Sequence, residues 1–212
     1  MASKHTVAPP PPPPDVDVSS IVPSTRDFLQ ALATQRKRLA LVALVEGEDD
    51  ARRLAEAGIS GLAVSAPTDR AQAISQAAGS TPLLSLAPIE SENDALLARS
   101  AGADAVLVQA AGFDALSKTA RSTRMAALAL VVDAPSAALA TSAKAVYLRV
   151  AAVELVAPIV AKLAKGLRVL AHVPAIDETG LRALRGVVDG AIVEQDMHLS
   201  TSFDTLREEL DP

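Results

Sequence analysis

Short, uninterrupted runs of Ala, Leu, Val and Ile recur along this chain, separated by stretches whose apolar positions fall at helical spacing. A run that is apolar at every position marks a strand buried on both faces, and regular alternation with helical stretches marks parallel β–α units. The junctions share one grammar. Ala101-Gly102-Ala103-Asp104-Ala105-Val106-Leu107-Val108 reads as a helix end, a glycine stop and a buried strand. Glu56-Ala57-Gly58-Ile59-Ser60-Gly61-Leu62-Ala63-Val64 and Gly186-Val187-Val188-Asp189-Gly190-Ala191-Ile192-Val193 repeat it. The pattern predicts strands near 38–45, 61–65, 82–86, 104–108, 127–132, 145–149, 168–173 and 189–193. Helices are predicted near 49–57, 69–78, 91–101, 113–122, 135–141, 152–164, 178–185 and 202–210. Eight strands, each followed by a helix, fit a compact (β/α)8 TIM barrel with short loops. A doubly wound open sheet is the alternative; it would normally use fewer strands for this length, and no G-x-G-x-x-G follows the first strand. A further short helix through Asp27-Phe28-Leu29-Gln30-Ala31-Leu32 precedes the first strand, with Ser24 or Thr25 placed to cap it.

Residues 1–23 stand apart from this pattern. Pro9 to Pro14 is an unbroken proline run, flanked by polar and irregular sequence. Such a run adopts polyproline II and cannot join a packed core, so a disordered tail at 1–23 and one barrel domain at 24–212 are expected. A proline-rich tail is either a stiff spacer or a ligand for an aromatic-lined groove on a partner. Composition narrows the rest. Half the 212 residues are hydrophobic but only 2% are aromatic, which suits small branched side chains packed between helices and a parallel sheet. The formal net charge of −5 and the lack of a long basic run argue against nucleic-acid binding. Arg36-Lys37-Arg38 is the densest basic cluster and reads as a solvated helix end. There is no cysteine, which removes disulfides, thiolate metal sites and a Cys nucleophile. No apolar run reaches the roughly 18 residues of a membrane span, and no signal-peptide core opens the chain, so a cytoplasmic location without membrane attachment is expected.

The order of segments resembles indole-3-glycerol phosphate synthase, the (β/α)8 enzyme of tryptophan biosynthesis, over roughly residues 25–210. Arg26-Asp27-Phe28-Leu29-Gln30-Ala31-Leu32 is similar to that family's helix before the first strand. Ala63-Val64-Ser65-Ala66-Pro67-Thr68-Asp69 is similar to its A-I-S-V-L-T-E, and Ala98-Arg99-Ser100-Ala101-Gly102-Ala103-Asp104-Ala105-Val106-Leu107-Val108 to its A-R-x-x-G-A-D-A-V-L-L. These are scaffold motifs. The family's functional motifs are not matched: its third-strand catalytic Lys falls near Leu86, its fifth-strand Glu near Leu130, its sixth-strand Asn near Arg149, and its eighth-strand Gly at Glu194. The first strand, Leu39-Ala40-Leu41-Val42-Ala43-Leu44, has neither the Glu nor the Lys of A-E-V-K. Pro174 lacks a phosphate-binding N–H, and Glu194 would set a carboxylate beside a dianion, a repulsion on the order of 4 kcal/mol at about 4 Å and an effective dielectric near 20.

The polar residues expected near the barrel mouth are Glu46, Asp69, Ser85, Gln109, Asp133, Arg149, His172, Asp177, Glu194 and Asp196. Several carboxylates and a histidine on one face could ligate a divalent cation, but acids in loops that precede helices ordinarily cap them. No metal-ligand spacing, phosphate loop or Ser–His–Asp order appears, so no metal or cofactor is expected. His172, inside a strand between Ala171 and Val173, is the candidate general base; Arg149, Glu194 and Asp133 are the other candidate catalytic residues. His198 and His5 are weaker candidates, and Asp49-Asp50 and Glu208-Glu209 read as solvated helix faces. Two functional readings follow. The first is a catalytically inactive barrel acting as an interaction or scaffold protein, homo-oligomeric or bound to a protein partner and tethered by its tail. The alternative is a divergent TIM-barrel enzyme of the lyase or isomerase class acting on a small molecule, with a link to tryptophan or indole metabolism.

Overall fold

Eight parallel strands close into a barrel in chain order, with the first paired to both the second and the last. The computed structural model describes residues 21–32, 38–65 and 69–211. The proline run, His5, Arg36 and Lys37 lie outside those residues. The strands are β1 (Ala40–Leu44), β2 (Gly61–Val64), β3 (Leu83–Ile89), β4 (Ala105–Gln109), β5 (Ala126–Val131), β6 (Ala145–Arg149), β7 (Arg168–His172) and β8 (Gly190–Val193). The helices are α1 (Phe28–Leu32), α2 (Glu48–Glu56), α3 (Asp69–Ala77), α4 (Glu92–Ser100), α5 (Phe113–Ser122), α6 (Ala134–Leu139), α7 (Val156–Val160), α8 (Glu178–Leu184), α9 (Gln195–His198) and α10 (Phe203–Leu210).

The two faces of each strand feed two separate cores, which explains why the strand sequences show no polar alternation. Outward positions such as Leu41, Val106, Val146 and Leu148 pack beneath the helices. Inward positions such as Val42, Leu84, Leu107, Leu128, Tyr147, Leu170 and Ile192 fill the barrel. Toward its N-terminal end the interior is lined by Ala40, Ala105, Ala145 and Gly190, too small to close it, and α1 closes it with Phe28 and Leu32, both fully buried. A Cβ at Gly190 would stand 3.0 Å from the Leu32 side chain, so the glycine is what admits the plug. Burying two such side chains contributes about 1.5–3 kcal/mol each.

Below the strands, carboxylates tie neighbouring units together. Asp104 accepts hydrogen bonds from Ser24 Oγ at 2.6 Å and the Leu83 N–H at 2.9 Å, and ion pairs from Arg26 at 2.7 Å and Arg99 at 2.9 Å. Asp189 takes the Val169 N–H at the foot of β7, and Asp211 takes the Leu41 N–H at the foot of β1 and both donors of Ser60. Each satisfies a strand-entry N–H that would otherwise be buried unpaired.

Four local expectations differ from what is observed. Ser24 does not cap α1; it is buried against Asp104, and Asp27 caps the helix by accepting from the Gln30 N–H at 2.9 Å. The helix expected at 152–164 is a 3-10 turn, Val153–Leu155, followed by the short α7, because Pro158 has no N–H to offer the Glu154 carbonyl and is accommodated only in the first turn of an α-helix, where α7 has it. β3 extends beyond 86 through a register shift between Ser85 and Pro88, and α9 is an additional helix between β8 and α10.

Candidate functional site

The period-2 alternation that fills the barrel decides which side chains reach its C-terminal mouth, where barrels of this kind carry their chemistry. Continuing the inward face upward from Ala40 and Val42, Leu84, Leu128, Tyr147, Leu170 and Ile192 leads to Leu44, Leu86, Leu130, Arg149, His172 and Glu194. The mouth is therefore divided. Its β1, β3 and β5 positions are half-buried leucines, its β2 and β4 positions are the exposed Ser65 and Gln109, and its β6, β7 and β8 positions are Arg149, His172 and Glu194.

On the polar side three groups form a chain. The Tyr147 hydroxyl, buried one inward step below Arg149, hydrogen-bonds His172 Nδ1, and His172 Nε2 lies 3.1 Å from Glu194 Oε1. The second Glu194 oxygen accepts from the Ala175 N–H at 3.1 Å. Ala175 has φ +52, a left-handed conformation that costs an alanine free energy and turns its N–H toward the mouth. Burial pushes the Tyr147 hydroxyl well above its ordinary range, so it remains a donor. Burial likewise lowers the His172 pKa, with Glu194 acting in the opposite direction and Arg149 adding to the fall. A neutral His172 accepting at Nδ1 carries its proton on Nε2 and donates it to Glu194. Burial opposes ionisation of Glu194, but the Ala175 N–H, His172 and Arg149 outweigh it and hold its carboxyl below the usual range. The chain of donors thus ends on an ionised carboxylate whose side chain is 35% exposed, while His172 is 5% exposed. Arg149 faces His172 across the β6–β7 ladder, is exposed, and forms no hydrogen bond or ion pair with a described residue.

The other expected residues are placed elsewhere or used otherwise. Asp133 is not part of the cluster: its Oδ1 accepts the Ser136 N–H at 2.8 Å and caps α6, and Asp177 caps α8 through the Gly180 N–H at 2.7 Å. Ser85 is on the outer face of β3, buried against α4. Gln109, two residues on from the inward-facing Leu107, is at the mouth and exposed but has no part in the polar chain; Glu46 and Asp196 are exposed in the β1–α2 loop and on α9, and the Asp69 side chain lies outside the described residues. His198 is structural: its Nε2 is 2.9 Å from the Leu44 carbonyl, its Nδ1 is 3.3 Å from the Arg53 guanidinium, and burial lowers its pKa. Among the described residues no three of His, Cys, Asp and Glu converge to hold a metal ion, because the acids are dispersed over separate helix starts.

Sequence reasoning missed Tyr147, although it is the chain's one tyrosine and falls on the inward face of a strand otherwise made of Ala, Val and Leu up to Arg149. It also ranked His172 above Glu194. The signal for Glu194 was its residue type. Asp is favoured at an N-cap and Glu is not, and Glu194 stands at the N-cap of α9 with no capping hydrogen bond because its carboxylate turns inward.

No family profile and no curated protein match this chain. Solved structures do. A thiamine phosphate pyrophosphorylase from Pyrococcus furiosus is similar at a TM-score of 0.58 and 16% identity, covering 82% of this chain and 95% of its own. This chain has the TIM-barrel fold. A putative lyase/mutase from Burkholderia cenocepacia is similar at a TM-score of 0.63 and 14% identity, with 87% and 92% covered. A protein from Aquifex aeolicus is similar at 0.59 and 11%, with 86% and 92% covered. At such identities the likeness is one of fold, and function has to be argued from the mouth. No helix among the described residues is long and apolar enough to cross a membrane.

Proposed function

We propose that this protein is a divergent TIM-barrel enzyme of the lyase or isomerase class that moves a proton on a small molecule bound at the mouth. The observation that carries this reading is the ionised Glu194 carboxylate, held by two donors and partly open to solvent, within electrostatic reach of an Arg149 that forms no hydrogen bond or ion pair with a described residue. Glu194 is the base. It takes a proton from carbon next to a carbonyl or carboxylate group, and the guanidinium of Arg149 balances the negative charge that develops on that group's oxygen. Returning a proton to the opposite face of the same carbon completes an isomerisation by epimerisation; loss of a leaving group from the neighbouring carbon, with its electron pair, completes an elimination. His172 and Tyr147 are positioning residues: Tyr147 sets the His172 tautomer, and His172 sets the Glu194 rotamer. The names of the similar enzymes, a lyase/mutase and a thiamine phosphate pyrophosphorylase, are compatible with small-molecule chemistry at this mouth.

The test is solvent deuterium exchange into a panel of small carbonyl and carboxylate compounds. Glu194→Gln abolishes exchange and Arg149→Gln raises KM. His172→Gln removes a donor from Glu194, so the acidic limb of the pH profile moves to higher pH. Exchange that survives Glu194→Gln overturns the assignment.

One observation favours the second reading, an inactive barrel related to indole-3-glycerol phosphate synthase. The positions that correspond to that family's third- and fifth-strand catalytic residues, Leu86 and Leu130, do face the barrel interior, and they are apolar. On that reading the protein is a scaffold that binds a protein partner or its own copies, tethered through residues 1–23. A pull-down with and without those residues tests it; a partner set that does not change on their removal rejects the tether.

A further inference from the structure

Beside the polar half of the mouth runs an open groove of about 570 Å³, floored by Val150 and Ile159 and walled by Val132, Leu155 and Pro174. Two of these are exposed well beyond the norm for large apolar side chains: Val132 by 51% and Leu155 by 48%. The volume lies in the range of small-ligand sites, and an apolar patch rimmed by polar groups ordinarily marks a binding surface. Among the described residues two charged side chains border it. Asp133 is directed into its own helix cap, whereas Arg149 stands at the end next to the mouth and forms no hydrogen bond or ion pair with a described residue. The groove therefore has an apolar body and one positive end.

We infer that the groove takes the apolar part of a small amphipathic monoanion, an aliphatic or aryl carboxylate, whose headgroup is held by Arg149. The inference deepens the acid–base reading by naming its substrate class, and it rests on that reading for turnover but not for binding. Arg149 lies at the junction, lining the groove and facing His172 across the β6–β7 ladder, so a carboxylate held there directs its apolar chain into the groove and keeps its headgroup at the mouth. A guanidinium matches a carboxylate in two parallel hydrogen bonds, which selects this headgroup over a neutral one.

The experiment is calorimetric titration of the full-length protein with straight-chain carboxylates from butanoate to decanoate, alongside the matching alcohols. Carboxylates bind more tightly with each methylene, up to about fourfold per step while the groove fills. Arg149→Gln weakens the carboxylates at least about tenfold and leaves the alcohols unchanged. Leu155→Asp, at an exposed position in a 3-10 turn and so compatible with folding, abolishes the dependence on chain length. Carboxylates no tighter than alcohols, or a chain-length dependence untouched by Leu155→Asp, overturn the inference. So does a wild-type protein that sediments as an oligomer and becomes monomeric on Leu155→Asp, which assigns the groove to a second copy of the chain. Glu194→Gln separates the two ideas: it keeps carboxylate binding while removing exchange. Binding without any Glu194-dependent exchange rejects the acid–base reading alone, and exchange without chain-length dependence rejects the groove alone.

Discussion

Replacing Asp104 by Asn, which changes a charge and almost no volume, is expected to destabilise the barrel severely. Asp104 is 1% exposed and receives four donors: Arg26 at 2.7 Å, Arg99 at 2.9 Å, Ser24 at 2.6 Å and the Leu83 N–H at 2.9 Å. The two arginine side chains are themselves only 13% and 12% exposed, so solvent screens neither well. Burial already lowers the proton affinity of Arg26, and Asp104 is what opposes that loss. An amide keeps one acceptor oxygen but turns an NH2 group toward a guanidinium, donor against donor. Breaking a buried ion pair from one side costs about 3–5 kcal/mol, against a total stability of about 5–15 kcal/mol. Arg26 also binds the Ser75, Thr81 and Gly102 carbonyls, so the loss spreads to the feet of α3, β3 and β4. With a urea m-value of about 3 kcal/mol/M, the unfolding midpoint should fall by about 1–2 M, read by far-UV circular dichroism. A shift below about 0.3 M at unchanged m would refute the account of Asp104 as the hub of the lower face.

Gly102→Ala is expected to cost about 1–3 kcal/mol, because φ is +92 and the new Cβ would lie 2.4 Å from Ser75 Oγ; Gly47→Ala, at φ −142 with open space around it, changes the same urea midpoint little. Burial depresses the pKa of both His172 and His198, so the folded chain binds these protons less tightly than the unfolded chain, and the stability they contribute is lost as pH falls below about 6.5. Thermal melts at about pH 7.5 and about pH 5.5 should show that fall, and His172→Asn should reduce it; an undiminished fall contradicts the burial argument. Glu194→Gln removes the carboxylate that supports the imidazolium, so the His172 pKa, followed by NMR, should drop further; a rise would mean that Glu194 is not its partner.

The fold was legible because each repeat carries its own stop signal. Gly58, Gly102 and Gly186 all adopt left-handed φ, at +81, +92 and +80, where the helix-glycine-strand grammar places the turn. What the grammar could not reveal is what its third position does. Asp104 reads locally as the residue before a strand, yet one of its donors, Ser24, lies 80 residues away in sequence. That long-range bond is also why the cap of α1 moved from Ser24 to Asp27, since a hydroxyl committed to a buried carboxylate cannot also serve a helix end. Pro158 is the opposite case. Its missing N–H was visible in the sequence and should have shortened the predicted helix at 152–164 without any structure.

The site was legible as positions and not as roles, and the acids show why. Asp133, Asp177 and Glu194 each immediately precede a helix after a strand end, so spacing treats them alike. The aspartates reach back to the N–H of a residue three positions on. Glu194, one methylene longer, instead reaches His172 on one side and the Ala175 N–H on the other, and leaves α9 without a side-chain cap. A helix start that forgoes its cap while an alanine is held at positive φ gives up stability twice to hold one carboxylate in place. Other helix starts, those of α2, α5, α7 and α10, also lack a side-chain cap; what sets Glu194 apart is that its carboxylate has two donors within the mouth, at the end of the strand beside that of His172 and one strand further from Arg149.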